Sequence, residues 1–230
     1  MAEENPHKGH RERKKAQFRE HGLDAFADHE VLELLLFYAI PRADTNPVAH
    51  RLLDRFGTLD AVLSAPAEEL AQIEGMGEHA ATLLALLLPV VRRAFLESQG
   101  RSGFVLASAE QLGQYFCRLF FGARQEVFYE VCLDAKGKLL RCYKLAEGSV
   151  DMVNVNVRCI VENALRSHAS AVALSHNHPS GIALPSADDN ATTLMVYDAL
   201  RTVGIELVDH IIVADDDFVS LYENGLLPPR

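Results

Sequence analysis

Hydrophobic periodicity changes once along this chain, and the change constrains the fold more than any other feature of the sequence. Between residues 11 and 97 the apolar side chains recur at the three- and four-residue spacing of helices. Beyond residue 104, short apolar strands alternate with amphipathic helices. A short polar stretch at 98–103 separates the two patterns. We therefore expect a disordered tail at 1–10, a small all-α domain at 11–97, a linker at 98–103 and an α/β domain with a mixed sheet at 104–230.

Composition restricts the environment in which such a chain works. Of the 230 residues, 49% are hydrophobic and 23% are charged, so both domains can bury a core. The four cysteines form no C-x-x-C pair, as expected for reduced thiols in the cytosol. The polar start resembles no signal peptide, and the longest apolar run, 80–91, is interrupted by Pro89 and is too short to span a bilayer. The sequence thus predicts a cytoplasmic protein without a membrane partner.

Two glycines in the helical part form the first candidate binding feature. Gly75 and Gly77 separate two predicted helices, and the segment 70–83 is similar to a helix-hairpin-helix motif. Glycine amides at a helix start can hold a DNA phosphate without reading the base sequence. The other interpretation is that these glycines only connect two packed helices. Gly77 is followed by the acidic Glu78, whereas a basic residue at that position would favour DNA binding. Both interpretations therefore stay open.

Charge gives the DNA interpretation limited support. The net charge is −10 and is spread evenly over the two halves, which is not typical of a nucleic-acid-binding protein. A basic cluster near the start is the exception, and it is more often a solvated helix or tail than a binding surface. The cluster consists of Lys8, Arg11, Arg13, Lys14, Lys15 and Arg19.

A candidate metal site follows a short buried strand at 171–175. His176 and His178 lie two residues apart, so in an extended backbone both imidazoles project to the same face. Asp189 belongs to the first turn of the next helix and can supply a third ligand. Two histidines, one carboxylate and an open position are typical of catalytic zinc. Ser186 and Asp189 also have the spacing of a capping box, which alone would explain both residues.

These residues resemble a known family. The pattern His176-x-His178-Pro179, followed by Ser186-x-x-Asp189, matches the signature of JAMM (MPN-type) metalloproteases. The longer string His-Asn-His-Pro-Ser-Gly is similar to the RadC branch, as are the segments 209–213 and 220–227. The resemblance covers nearly the whole chain. One departure lies in the turn, where Ile182 and Ala183 replace the acidic residue and proline that RadC relatives usually carry.

The resemblance implies a fold and a chemistry. It implies a mixed sheet with flanking helices, and one zinc ion held by His176, His178 and Asp189. It also implies an upstream glutamate as general base, for which Glu126 fits best and Glu130 is the alternative. Ser186 corresponds to the serine that donates a hydrogen bond to the developing oxyanion. The implied reaction is hydrolysis of a peptide or isopeptide bond in a protein or peptide substrate.

Two further interpretations accompany this hypothesis. The chain could instead be a DNA-associated, repair-type protein that binds DNA through Gly75 and Gly77 and has a structural or inactive metal domain.

His210, next to Asp209 in the last predicted strand, is expected to be a hydrogen-bonded core residue, with an orienting contact to the metal site as the alternative.

Overall fold

The structure is a computed structural model that describes residues 9–102, 104–148 and 156–228. The chain divides into two compact units, Met1–Val90 and Val91–Arg230. Of the predicted tail, residues 1–8 lie outside the described residues, and His10 already begins the first helix.

The first unit is entirely helical in its described part. Apolar side chains at helical spacing, such as Val48, Ala49 and Leu52, pack into one core with Leu32, Leu36 and the start of the last helix. Its helices are α1 (His10–His21), α2 (Asp28–Ala39), α3 (Asn46–Phe56), α4 (Leu59–Leu63), α5 (Ala67–Leu70) and the first part of α6 (Glu78–Ser102).

Helix α6 corrects two expectations. Pro89 does not interrupt the apolar run, because α6 continues through it to Ser102 and covers most of the predicted linker at 98–103. A proline removes one backbone hydrogen bond of a helix, and packing on both sides compensates here. Leu84 packs into the core of the first unit, and Phe95 packs into that of the second. The division between the units accordingly falls inside α6, and Gly103 lies outside the described residues.

Helix α6 is also the single helix in the described part of the chain that is long and apolar enough to cross a membrane. The window Glu78–Glu97 meets that criterion by length and composition, and 22% of it is buried. A core helix can pass the same test, so this is weak evidence for a membrane span. The cytoplasmic location and the absence of a membrane partner stay predictions.

The second unit confirms the predicted α/β domain with a mixed sheet. Its described strands form a five-stranded sheet in the order β2-β1-β3-β4-β5. Strands β3 and β4 are parallel, and the other neighbours are antiparallel. The elements are α7 (Ala109–Phe120), β1 (Val127–Leu133), β2 (Leu139–Glu147), α8 (Val157–Arg166), β3 (Ala171–Asn177), α9 (Ala187–Thr202), β4 (Glu206–Ala214) and β5 (Asp217–Ser220). The last strand, β5, is the one that the sequence did not predict.

Helices cover both faces of the sheet. Helix α7 packs against the face that includes Val131 and Ala173. Helices α8 and α9 pack against the opposite face, which includes Phe128 and Leu174. Side chains alternate along a strand, so His176 shares the face of Leu174 and is directed towards α9. The fold therefore places the first candidate ligand between the sheet and α9.

Strand β4 contains a bulge that changes which residues face α9. Val172 pairs with Leu207, but Ala173 pairs with Asp209, so Val208 is an extra residue in β4. Before the bulge Leu207 packs on the α8/α9 side, and after it Ile212 does. The even-numbered residues of β4 beyond the bulge, His210 among them, consequently face α9.

Candidate metal centre

The three predicted ligands converge at the C-terminal end of β3. His176 ends the side of β3 that faces α9, His178 follows two residues later, and Asp189 lies in the first turn of α9. The two Nε2 atoms are 2.9 Å apart. Nε2 of His176 lies 3.3 Å from Oδ1 of Asp189, and Nε2 of His178 lies 3.8 Å from Oδ2. The sequence predicted that these three side chains lie close together, and in the structure they do.

This donor set fits a zinc ion. Zinc binds imidazole nitrogen and carboxylate oxygen at about 2.0–2.2 Å in tetrahedral geometry, which spaces neighbouring ligand atoms about 3.4 Å apart. The separations of 2.9, 3.3 and 3.8 Å lie around that value. Two nearly buried imidazole nitrogens that face each other also need a cation or a proton between them. The residues can therefore hold one metal ion, whose identity is a matter for experiment.

Asp189 serves the helix and the metal centre together. Its Oδ2 accepts hydrogen bonds from the backbone N–H and the hydroxyl of Ser186, both at 2.7 Å. The Ser186 hydroxyl oxygen in turn accepts from the Asp189 N–H at 3.1 Å, which completes the capping box. Oδ1 is left to face His176. The predicted capping box is thus confirmed, and it leaves Oδ1 of Asp189 in place as a candidate third ligand.

The ionised form of Asp189 is favoured in this setting. Burial raises the pKa of the carboxyl group, but in the metal-free chain the hydrogen bond and charge of a protonated His176, together with the two bonds from Ser186, outweigh burial. The net effect holds the pKa well below its ordinary value of 3.8. An ionised carboxylate is the form that binds a metal ion.

The turn after β3 fixes the orientation of His178. Its Nδ1 lies 2.9 Å from the carbonyl oxygen of Ile182, and a carbonyl can only accept, so Nδ1 carries the hydrogen. The neutral ring then presents an unprotonated Nε2 to His176 and Asp189. Gly181, with a φ of +79°, makes the turn possible. Ile182 contributes a backbone oxygen, which any residue supplies, so the departure from the usual RadC turn leaves this contact intact.

His210 lies behind His176 in a contact that the sequence offered only as an alternative. Its Nε2 is 2.9 Å from Nδ1 of His176, and its Nδ1 is 2.6 Å from Oγ1 of Thr193 in α9. The neighbouring Asp209 bonds instead to the backbone N–H of His210 and to Ser220. Burial, then the charge of His176, hold the pKa of His210 well below 6.5. His210 is therefore a neutral, buried partner of a candidate ligand.

Comparison with known proteins agrees with this geometry. The model of the family described as "RadC-like JAB domain" matches residues 106–226. The chain belongs to the RadC family. A UPF0758 protein of Fusobacterium nucleatum is 33% identical to it over 97% of this chain and 99% of the relative.

Glu126, the predicted base, immediately precedes β1 in the RadC-like domain. Phe128 pairs with His176 across the antiparallel ladder, so Glu126, two residues earlier, lies at the same end of the sheet as the two histidines. The Asn177 side chain holds this segment on both sides of Glu126. It accepts from the Val127 N–H at 2.7 Å and donates to the Gln125 carbonyl at 3.1 Å. Asn177 is a residue that the sequence analysis missed, although it is the middle residue of the His-x-His string.

Glu130, the alternative base, lies elsewhere in the RadC domain. It is fully buried opposite Leu174, four residues along β1 from Glu126, which corresponds to about 13 Å. Its carboxylate accepts from Asn163 of α8 at 2.9 Å and from the Cys132 thiol at 3.5 Å. Burial raises the pKa of Glu130 to about 7, against these two bonds. The structure thus gives Glu130 partners in the core under α8.

Gly75 and Gly77 lie in the helical unit that precedes the RadC-like domain. Both are exposed in the turn between α5 and α6, and Gly75 has a φ of +90°. The Arg51 guanidinium donates from Nε to the carbonyl of Glu74 at 3.0 Å, so a basic group stands beside the turn. The sequence could not place this arginine there, because Arg51 belongs to α3.

Proposed function

We propose that this chain is a zinc-dependent hydrolase that cleaves a peptide or isopeptide bond in a protein or peptide substrate. The observation that carries the proposal is the convergence of His176, His178 and Asp189, whose ligand atoms all lie within 4.8 Å of one another. Bound zinc supplies a Lewis acid that lowers the pKa of coordinated water to about 7. The chain's membership of the RadC family supports the proposal, because some proteins with JAB/MPN-type domains are metalloproteases.

In this proposal Glu126 is the general base. Its carboxylate takes the proton of the attacking water and returns it to the leaving amine. The bonds from Asn177 to the residues on both sides of Glu126 support this role, because they hold the backbone at the same end of the sheet as the two histidines. The proposal does not assign this role to Glu130, because Glu130 is buried and bonded to Asn163 and Cys132.

Ser186 has a second role in the proposal, as the donor to the developing oxyanion. In this structure its hydroxyl proton is donated to Oδ2 of Asp189. The hydroxyl therefore has to rotate away from Asp189 to reach a substrate oxygen, while the backbone N–H of Ser186 keeps Oδ2 in place. Donors of this kind contribute about 3–4 kcal/mol to transition-state stabilisation.

Elemental analysis of the purified chain tests the metal centre. We expect about one zinc per chain in the wild type, and loss of zinc in His178→Ala and Asp189→Ala, because each removes one of three ligands. Asp188→Ala is the matched control, since Asp188 is an exposed carboxylate of the same helical turn. Full zinc content in Asp189→Ala would exclude the proposed ligand set.

Hydrolysis of a degenerate library of internally quenched peptides, with an isopeptide-linked set beside it, tests the reaction. Glu126→Gln should keep its zinc and lose activity by about 10²–10⁴-fold, since it removes the base but no ligand. Equal hydrolysis by the wild type and Glu126→Gln would refute the role of Glu126.

A second candidate function is supported by Arg51. The exposed turn at Gly75 and Gly77 lies beside its guanidinium, so exposed glycines and a positive charge occur together, as phosphate binding requires. In this alternative the helical unit is a helix-hairpin-helix domain that binds DNA, and the metal domain is structural or inactive.

Binding to branched and duplex DNA tests this alternative. Binding at low salt should weaken steeply as salt is added, and Arg51→Ala should weaken it further. Arg158→Ala, which removes an exposed arginine of the other unit, is the control. Absence of binding at low salt would exclude this function.

A further inference from the structure

A chain of short hydrogen bonds leads from the backbone of one candidate ligand to the ring of another. Oγ1 of Thr193 lies 2.5 Å from the carbonyl oxygen of Asp189, one turn earlier in α9. The same Oγ1 lies 2.6 Å from Nδ1 of His210. Nε2 of His210 lies 2.9 Å from Nδ1 of His176. Thr193, His210 and His176 are each no more than 2% exposed, so water does not compete for these bonds.

The chemistry of the carbonyl gives this chain a direction. A carbonyl oxygen only accepts, so the single hydroxyl proton of Thr193 is donated to Asp189. The hydroxyl oxygen then accepts from His210, whose Nδ1 must carry the hydrogen. The ring of His210 is fully buried, with 5.7 Å between its centroid and that of Phe128, and burial favours a neutral imidazole. Its Nε2 is therefore the acceptor for His176.

The last bond determines the state of the ligand. If His210 Nε2 accepts, Nδ1 of His176 carries the hydrogen, and Nε2 of His176 keeps the free lone pair that faces Asp189 and His178. A reversed chain would place a hydrogen on Nε2 of His176, and that tautomer cannot bind a metal ion. Because the carbonyl of Asp189 can only accept, the bonds through Thr193 and His210 place a hydrogen on Nδ1 of His176 and leave its Nε2 available to a metal ion.

We propose that His210 and Thr193 are positioning residues that hold His176 in its metal-binding tautomer. The inference rests on the proposed metal centre, and it assigns to β4 a function that the three ligands do not reveal. His176 lies in β3, His178 in the turn that follows β3, and Asp189 in α9. His210 of β4 connects the ring of His176, through Thr193, to the backbone carbonyl of Asp189. Outer partners of this kind change metal affinity by about 10–100-fold when they are lost.

Zinc affinity, measured by competition with a chelator, is the first test. His210→Leu and Thr193→Val should each bind zinc about 10–100-fold more weakly than the wild type. His210→Gln and Thr193→Ser should recover most of the loss, because each keeps one donor and one acceptor. Ser175→Ala is the control, since it removes a buried hydrogen bond to Ile211 from the other face of β3. Circular dichroism identifies variants that do not fold.

The tautomer itself is the second test, and it needs no metal. In ¹⁵N–¹H correlation spectra of the histidine rings, metal-free wild type should show a hydrogen on Nδ1 of His176, whether or not a proton is shared between the Nε2 atoms of His176 and His178. The Thr193→Val variant should show a mixture of tautomers. A His176 without a hydrogen on Nδ1 in the wild type, or zinc binding by both His210→Leu and Thr193→Val as tight as in the wild type, would overturn the inference. A wild type that binds no zinc would refute the metal centre instead, and the spectra would still decide on the tautomer.

Discussion

Replacing Glu130 by glutamine distinguishes the two carboxylates that the sequence offers as a general base. Glu130 is fully buried and bonded to Asn163 and Cys132, whereas Glu126 lies at the metal end of β1. The Gln side chain has nearly the same shape and can still accept from Asn163. We therefore expect Glu130→Gln to keep its hydrolytic activity and to change the pH dependence of stability.

The size of the stability effect follows from the environment of Glu130. Burial raises its pKa from 4.5 to about 7, and the two hydrogen bonds offset part of that effect. Because one pKa unit corresponds to about 1.4 kcal/mol, ionising Glu130 costs the folded chain about 3 kcal/mol. Below pH 4.5 the carboxyl group is protonated in both states, and no stability is lost. As the pH rises from there to about 7, the unfolded chain ionises first, and the free energy of unfolding falls by that amount.

Tyrosine fluorescence during urea unfolding measures this effect. The chain has no tryptophan, and of its tyrosines only Tyr38 precedes residue 91, so the signal reports chiefly on the second unit. The advantage of Glu130→Gln over the wild type should grow by about 2.5 kcal/mol between pH 5 and pH 8. Glu147→Gln, which alters a half-exposed carboxylate paired with Lys144, is the matched control for the loss of a carboxylate from the same unit.

Two results would refute this reasoning. A stability difference between Glu130→Gln and the wild type that does not change with pH would show that burial does not perturb Glu130. A folded, zinc-replete Glu130→Gln protein without hydrolytic activity would show that Glu130, and not Glu126 alone, takes part in the reaction.

Three other substitutions test neighbouring parts of the structure. Asn177→Leu removes the bonds on both sides of Glu126, so it should lower kcat by about 10²-fold at unchanged zinc content; unchanged kcat would contradict the positioning role. Ser186→Ala removes the cap of α9 and should lower the free energy of unfolding by about 1 kcal/mol without releasing zinc, which chemical denaturation and elemental analysis together can check. Gly75→Ala places a Cβ 2.8 Å from a side chain of α3 at a φ of +90°, so calorimetry should show a loss of about 1–3 kcal/mol; equal stability would mean that the turn relaxes.

Local spacing made the three candidate ligands predictable. Two residues of separation in an extended backbone place His176 and His178 on one face, and a helix start a few residues later brings Asp189 back to them. The alternation of strands and helices likewise predicted the mixed sheet. Each of these features depends on residues that are close in the sequence.

Features that depend on distant residues were not predictable in the same way. The course of α6 through Pro89 depends on packing at both of its ends, and a proline by itself suggests a break. The place of Arg51 depends on how α3 packs against the turn before α6. His210 could be assigned to a strand, but its contact with His176 depends on the register between β3 and β4.

The bulge in β4 determines which face of the sheet each later side chain of that strand occupies. With unbroken alternation from Leu207, Asp209 would point at α9, and His210 would be directed among the aromatic side chains under α7. Deleting Val208 would remove the bulge and leave Asp209 and His210 on their present faces, so it is the bulge around a retained Val208 that keeps the two residues in place. The bulge at Val208, a residue that offers no ligand atom, therefore decides whether an imidazole or a carboxylate lies behind His176.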